Sequence, residues 1–278
     1  MTTLSETKPQ LLDVTSEGNM PIGLYFTQWL LVGVLTFALP QSSVRCLGFK
    51  DTRSLRHAMI GGTVIIGLIM ISVTSLGVLS QGVLDGNLSD YGSSVDNIIP
   101  LVISSSLPSW LAGIAITGPI AASISTVSSL LISASSSIIK DIGLHYHQKR
   151  GLAVREKKIA STSQVVTLII GALVFVLALV PPDLIWKISM FSFGGLETAF
   201  CWVMVMGLFW KRATRQGALL SMAGGALAYC ATMAAGFTLF GLHQIVIGIS
   251  VSLILMIAGS LLSKPDEDPD MHAVFFPE

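Results

Sequence analysis

Residues 109–139 read SWLAGIAITGPIAASISTVSSLLISASSSII, an apolar run with no charged side chain. A helix needs about 20 such residues to cross the ~30 Å of hydrocarbon in a bilayer, and this run is longer than that. Its middle, residues 121–129, is rich in small and hydroxyl side chains. Ser125 and Thr126 stand three and four positions after Ala122, on one helical face. Such a face offers two side-chain oxygens beside a backbone carbonyl, a donor set that suits a hard cation stripped of its water. The competing use is close packing on a neighbouring helix, because membrane interfaces favour the same small residues.

The pattern repeats along the 278 residues. The chain is 52% hydrophobic and 12% charged, against roughly 25% charged in an ordinary soluble domain, and its mean hydropathy is +0.75. Seven apolar segments stand out near 22–40, 57–83, 109–139, 159–180, 184–210, 216–239 and 243–262. Strand-like alternation is absent from them, so the reading is an all-α polytopic membrane protein and not a barrel. A formal net charge of zero gives no ground for nucleic-acid binding. Cys46, Cys201 and Cys230 have no metal-like spacing, and the polar first 20 residues, with Glu6, Asp13 and Glu17, do not form a signal peptide.

Charge divides the loops into two sets. The links 41–56, 140–158 and 211–215, with Lys264 at the start of the tail, hold fourteen of the sixteen basic residues. Positive charge marks cytoplasmic loops, so these links face the cytoplasm. The polar tail 1–21, the acidic loop with Asp85, Asp90 and Asp96, the Pro181–Asp183 turn and Gly241–His243 then face outward, and residues 264–278 form a cytoplasmic tail. An outward start with no exporting signal implies an upstream membrane half, with Met1 an internal residue. The surroundings follow as lipid, in a multi-pass plasma-membrane protein.

Other candidates lie in the remaining segments. The first segment contains Gly33 and ends at Leu39-Pro40, where proline removes a backbone donor and interrupts the helix. Transporters place interrupted helices at their substrate sites, which makes Thr36 a hydroxyl partner and Pro40 a hinge; a plain helix end at a loop is the alternative. Glu197 is the only carboxylate within an apolar span. A charge there costs about 2.5–3.5 kcal/mol on insertion scales, so such residues face a cavity and serve a role. Glu197 is read as bonding a substrate hydroxyl or a gate residue, with a protonated structural glutamate as the alternative. His145 and His147 read as a solvated turn. Trp186 and Trp210 read as interfacial anchors at opposite ends of one segment. His243 sits at an outer boundary with no serine-protease motif facing it, so an intramembrane protease, or any enzyme, is disfavoured.

Two stretches resemble the sodium:solute symporter family. One is Gly207-Leu208-Phe209-Trp210-Lys211-Arg212-Ala213-Thr214-Arg215-Gln216-Gly217-Ala218; the other runs from Ala122 through Thr126 to Ser137-Ile138-Ile139-Lys140-Asp141. Leu39 to Cys46, Ile138 to Asp141 and Phe193-Gly194-Gly195-Leu196-Glu197 are similar to the family's bacterial pantothenate-carrying branch. The resemblance covers about residues 22–262 and matches the C-terminal portion of such proteins. It implies the second inverted repeat of a LeuT-like fold in segments one to five, followed by two trailing helices. It also implies a sodium ion held by the Ala122 carbonyl, Ser125 and Thr126, with no organic cofactor. The remaining ligands would come from a missing N-terminal half. The implied activity is sodium-coupled symport of pantothenate, or a similar small anionic solute, across a bacterial inner membrane by alternating access. The alternatives are another small carboxylate or nutrient as solute, or a split half without transport of its own. Related proline carriers have aromatics at the positions of Thr36 and Val32, and their absence here implies a different substrate.

Overall fold

The structure is a computed structural model that describes residues 20–46, 48–83, 95–144, 156–180 and 184–264. The tails, the loop 84–94 with Asp85 and Asp90, the link 145–155 with His145 and His147, and the 181–183 turn lie outside the described residues. Every regular element among the described residues is helical. Helix α1 runs from Ile22–Trp29, continues as a π turn at Leu30–Val34 and tightens to a 3-10 turn at Leu35–Ala38. There follow α2 (Pro40–Cys46), α3 (Thr52–Val83), α4 (Ile98–Ser106) and α5 (Ser109–Ser136), the last extended by a π turn at Ser137–Leu144. Helices α6 (Glu156–Leu179), α7 (Ile185–Phe209), α8 (Arg215–Ala234) and α9 (Ile245–Leu262) complete the chain.

Six helices are long and apolar enough to cross a membrane, and the first segment is a shorter apolar helix, Ile22–Ala38. At about 1.5 Å per residue, α1 falls short of the hydrocarbon thickness before Leu39 breaks it. Leu39 is extended, with ψ of 128°, as the residue before a proline is driven to be. The sequence reading also omitted α4, whose Pro100 and flanking acidic loop hide its helical run, and it carried the sixth segment past Ala234. That helix stops because Gly236, at φ 63°, turns the chain.

The residues form two compact units, one of Met1–Ile71 with Trp186–Glu278 and the other of Ser72–Ile185. The first unit is held by α7, α8 and α9 approaching backbone to backbone. Lipid is as apolar as leucine, so helices in a bilayer associate through close packing and hydrogen bonds instead of hydrophobic burial. A Cβ on Gly225 would stand 2.6 Å from the Thr198 carbonyl oxygen and 2.7 Å from Ser252 Cβ; one on Gly259 would stand 2.8 Å from Gly217 Cα. Hydroxyls fill what the small residues leave. Ser221 and Ser252 pair at 2.8 Å, Thr214 and Ser263 at 2.6 Å, and the Thr214 N–H donates to Ser260 Oγ. Trp202 Nε1 donates across to the Ile249 carbonyl at 3.0 Å. In the second unit α5 packs on α6, with Leu131 against Gly171, and the Asp96 carboxylate accepts the Ile185 N–H.

Candidate functional site

In the second unit, Ala122, Ser125 and Thr126 share an exposed face of α5. Thr126 Oγ1 donates to the Ala122 carbonyl at 3.1 Å, and Ser129 Oγ donates to the Ser125 carbonyl at 3.0 Å. The Ala122 oxygen and the Thr126 hydroxyl are therefore neighbours, one turn apart, within a helix that has Pro119 inside it. Other hydroxyls of the helix bond back to their own backbone: the buried Ser135 donates to the Ile132 carbonyl, and Thr117 to that of Ile114. Among the described residues no cluster of three His, Cys, Asp or Glu side chains could hold a metal ion.

The first unit contains the other three candidates. Thr36 lies in the 3-10 turn of α1, half-buried, and Pro40 opens α2 directly after the extended Leu39. Glu197 is fully buried on α7, and among the described residues neither carboxyl oxygen has a hydrogen-bond partner. Its neighbour Thr198 is also fully buried, but spends its hydroxyl on the Gly194 and Gly195 carbonyls of its own helix. Tyr229 of α8 comes up against Gly194, where any side chain would strike its ring, and donates its hydroxyl to the Met190 carbonyl at 2.9 Å. Glu197 stands one turn before Cys201 on α7 and near Tyr229 of α8. Those two residues belong to one buried apolar cluster with Leu31, Leu35, Ala38, Met190 and Ile245. The irregular part of α1 thus packs into the same core as the residues beside the carboxyl.

Sequence reasoning missed Tyr229, because one aromatic in an apolar segment carries no pattern of its own. It placed His243 at a boundary without a task. In the structure the His243 N–H donates to Thr27 Oγ1 at 2.9 Å, and its Nδ1 accepts the Ile245 N–H at 3.2 Å. It therefore ties the start of α9 to α1. Burial pushes its pKa below the usual histidine value.

Comparison with known proteins is consistent with this architecture. The model of the "Sodium:solute symporter family" matches residues 2–225. The sodium/pantothenate symporter of Haemophilus influenzae is 36% identical over 262 residues, covering 94% of this chain and 53% of that protein. The sodium/pantothenate symporter of Escherichia coli is 31% identical over 259 residues, with coverage of 93% and 52%. The sodium/proline symporter of H. influenzae is 31% identical over 163 residues, covering 57% of this chain and 32% of that one. No solved structure matches. The chain spans about half the length of the sodium/pantothenate symporters it matches. A family match over most of its length, on a chain with six helices able to span a membrane, leads to one statement: this multi-pass membrane protein belongs to the sodium:solute symporter family, whose members are transporters and not enzymes.

Proposed function

We propose that this chain forms the sodium-binding second repeat, and the trailing helices, of a symporter that imports pantothenate into a bacterial cell across the inner membrane. The observation that carries the reading is the α5 face. Two oxygens 3.1 Å apart subtend about 80° at a cation about 2.4 Å from each, close to the angle between adjacent ligands in a six-coordinate oxygen shell. The Thr126 proton would turn away from the ion, leaving its lone pairs as ligands, and Ser125 would add a third oxygen. Among the described residues Ala122, Ser125 and Thr126 are exposed, so their oxygens stay open to a ligand. The rest of the shell would come from a transporter half that these 278 residues do not include.

Pantothenate is favoured over proline because the pantothenate carriers align over almost the whole chain, the proline carriers over little more than half. Thr36 and Glu197 would contact the solute, with Pro40 as the hinge of the interrupted helix. Sodium would favour the outward-open state, and inward opening would release both ligands. Each ligand must then raise the other's affinity by the same factor. One sodium ion with one anionic solute moves no net charge, so voltage, about 2.3 kcal/mol per charge per 100 mV, would add nothing to a one-to-one cycle.

The test is sodium-driven uptake of labelled pantothenate by the intact transporter. Ser125→Ala and Thr126→Ala should each raise the sodium concentration for half-maximal uptake about tenfold, the equivalent of ~1.4 kcal/mol of lost coordination. A double variant with unaltered sodium dependence removes the site. Sodium-dependent uptake that ignores pantothenate and follows another acid keeps the site and replaces the solute.

A further inference from the structure

We propose that Glu197 is a proton-binding site, filled in the conformation seen here and emptied when α1 moves off the core it covers. Four observations converge on it. The carboxyl is fully buried, and among the described residues no group hydrogen-bonds either oxygen. An ionised carboxylate in such a place is far costlier than a neutral acid, so the group holds its proton. The nearest polar groups are already committed, Tyr229 to the Met190 carbonyl and Thr198 to its own helix.

The cover over the core that contains Tyr229 and Cys201 is also the least regular backbone of the unit. Leu31, fully buried, lies in the π turn, while Leu35 and Ala38 lie in the 3-10 turn just before the break at Leu39. Both turn types depart from the regular helical ladder, and runs of this kind mark hinges and functional sites. Around Gly33 a Cβ would meet nothing within 4 Å, so this stretch is not locked from its open side. Among the described residues the titratable groups beside the carboxyl are Cys201 on its own helix and Tyr229 on α8. Next to Tyr229 in turn stand Cys230 and His243, the His243 ring centroid 6.2 Å from that of Tyr229. The stretch Leu30–Ala38 and the whole of α9 carry no titratable side chain. His243 and Tyr229 thus step from the start of α9 into the buried cluster beside Glu197.

The step itself is simple. When α1 lifts, the acid meets water and gives its proton to it, becoming a carboxylate; when α1 returns, the carboxylate takes a proton back before burial. Protons thereby bias the closed arrangement. The uptake arm of the test rests on the transport reading above, whereas the infrared arm does not.

The experiment is infrared difference spectroscopy of the intact transporter in lipid, titrated from acid to alkaline pH. Wild type should show a protonated-carboxyl C=O band at neutral pH that is lost as pH rises, and Glu197→Gln should lack it. In vesicles, wild-type uptake should fall about tenfold per pH unit once pH exceeds the group's own value, and Glu197→Asp should keep that fall at a shifted pH. A missing band in wild type at neutral pH, or a band that survives alkaline pH unchanged, overturns the proposal without any variant. So does a C=O titration in Glu197→Gln identical to that of wild type. Loss of sodium dependence with the infrared titration intact would end the transport reading and leave the proton site.

Discussion

The His243 side chain shows what one residue can do at a helix start. Its Nδ1 accepts the Ile245 N–H, which would otherwise be an orphan donor of α9. Protonation puts a hydrogen on that nitrogen and abolishes the acceptor, and burial already disfavours the charge. A histidine whose folded pKa is depressed contributes stability above its unfolded value, near 6.5, and loses it as pH falls through the folded value. Thermal stability of the detergent-solubilised protein should therefore decline from neutral pH towards pH 5, by roughly 2–4 °C per kcal/mol lost. His243→Asn, which keeps an acceptor in place of Nδ1 and cannot be protonated, should flatten that decline. An equally steep decline in the variant would assign it to other groups. Legibility at this scale was uneven. Ser125, Thr126 and Ala122 could be found because helical spacing alone sets them on one face, and Glu197 because charge is scarce in apolar spans. Tyr229 meets the Met190 carbonyl 39 positions away, and His243 meets Thr27 on α1, contacts that no local pattern encodes.

At the scale of elements, the long uniform helices were readable from apolar runs, and the break at Leu39-Pro40 from proline chemistry. The π turns at Leu30–Val34 and Ser137–Leu144 were not, because nothing in residue type distinguishes an i+5 bond from an i+4 bond. Nor did the glycines announce which of them serve packing. Gly225 does: its absent side chain is where the Thr198 carbonyl of α7 and Ser252 of α9 come together on α8. Neither the carbonyl nor the Cβ can swing aside as a flexible side-chain tip would. Gly225→Ala should thus force α7, α8 and α9 apart and cost about 1–3 kcal/mol. Gly61→Ala on α3, where a Cβ meets nothing within 4 Å, should be neutral or slightly stabilising through helix propensity. Fluorescence-detected thermal stability in detergent would compare them. Equal behaviour of the two variants would mean that the α8 contacts are looser than the backbone distances require.

For the whole molecule, the question is which way the chain threads the bilayer. Lys211, Arg212 and Arg215 cluster at the link between α7 and α8, and Arg212 Nη2 donates to the Ser263 carbonyl just beyond α9 at 3.3 Å. The basic link and the C-terminal end of α9 therefore lie on one side. The turn between Ala234 and Ile245, without a lysine or arginine, lies at the other ends of the same helices. Translocating the cationic end would expose three positive charges to the side from which positive charge is excluded, and a pair of 18- and 20-residue spans has no slack to compensate by tilting. In a background where Cys46, Cys201 and Cys230 are replaced by alanine, Phe237→Cys should react with a membrane-impermeant thiol reagent in intact cells. Lys211→Cys should react only after the cells are permeabilised. The reverse pattern would invert the chain, moving the whole set of basic links outside. It would then place the interrupted end of α1, at Leu39-Pro40, on the outer side of the membrane rather than the cytoplasmic one.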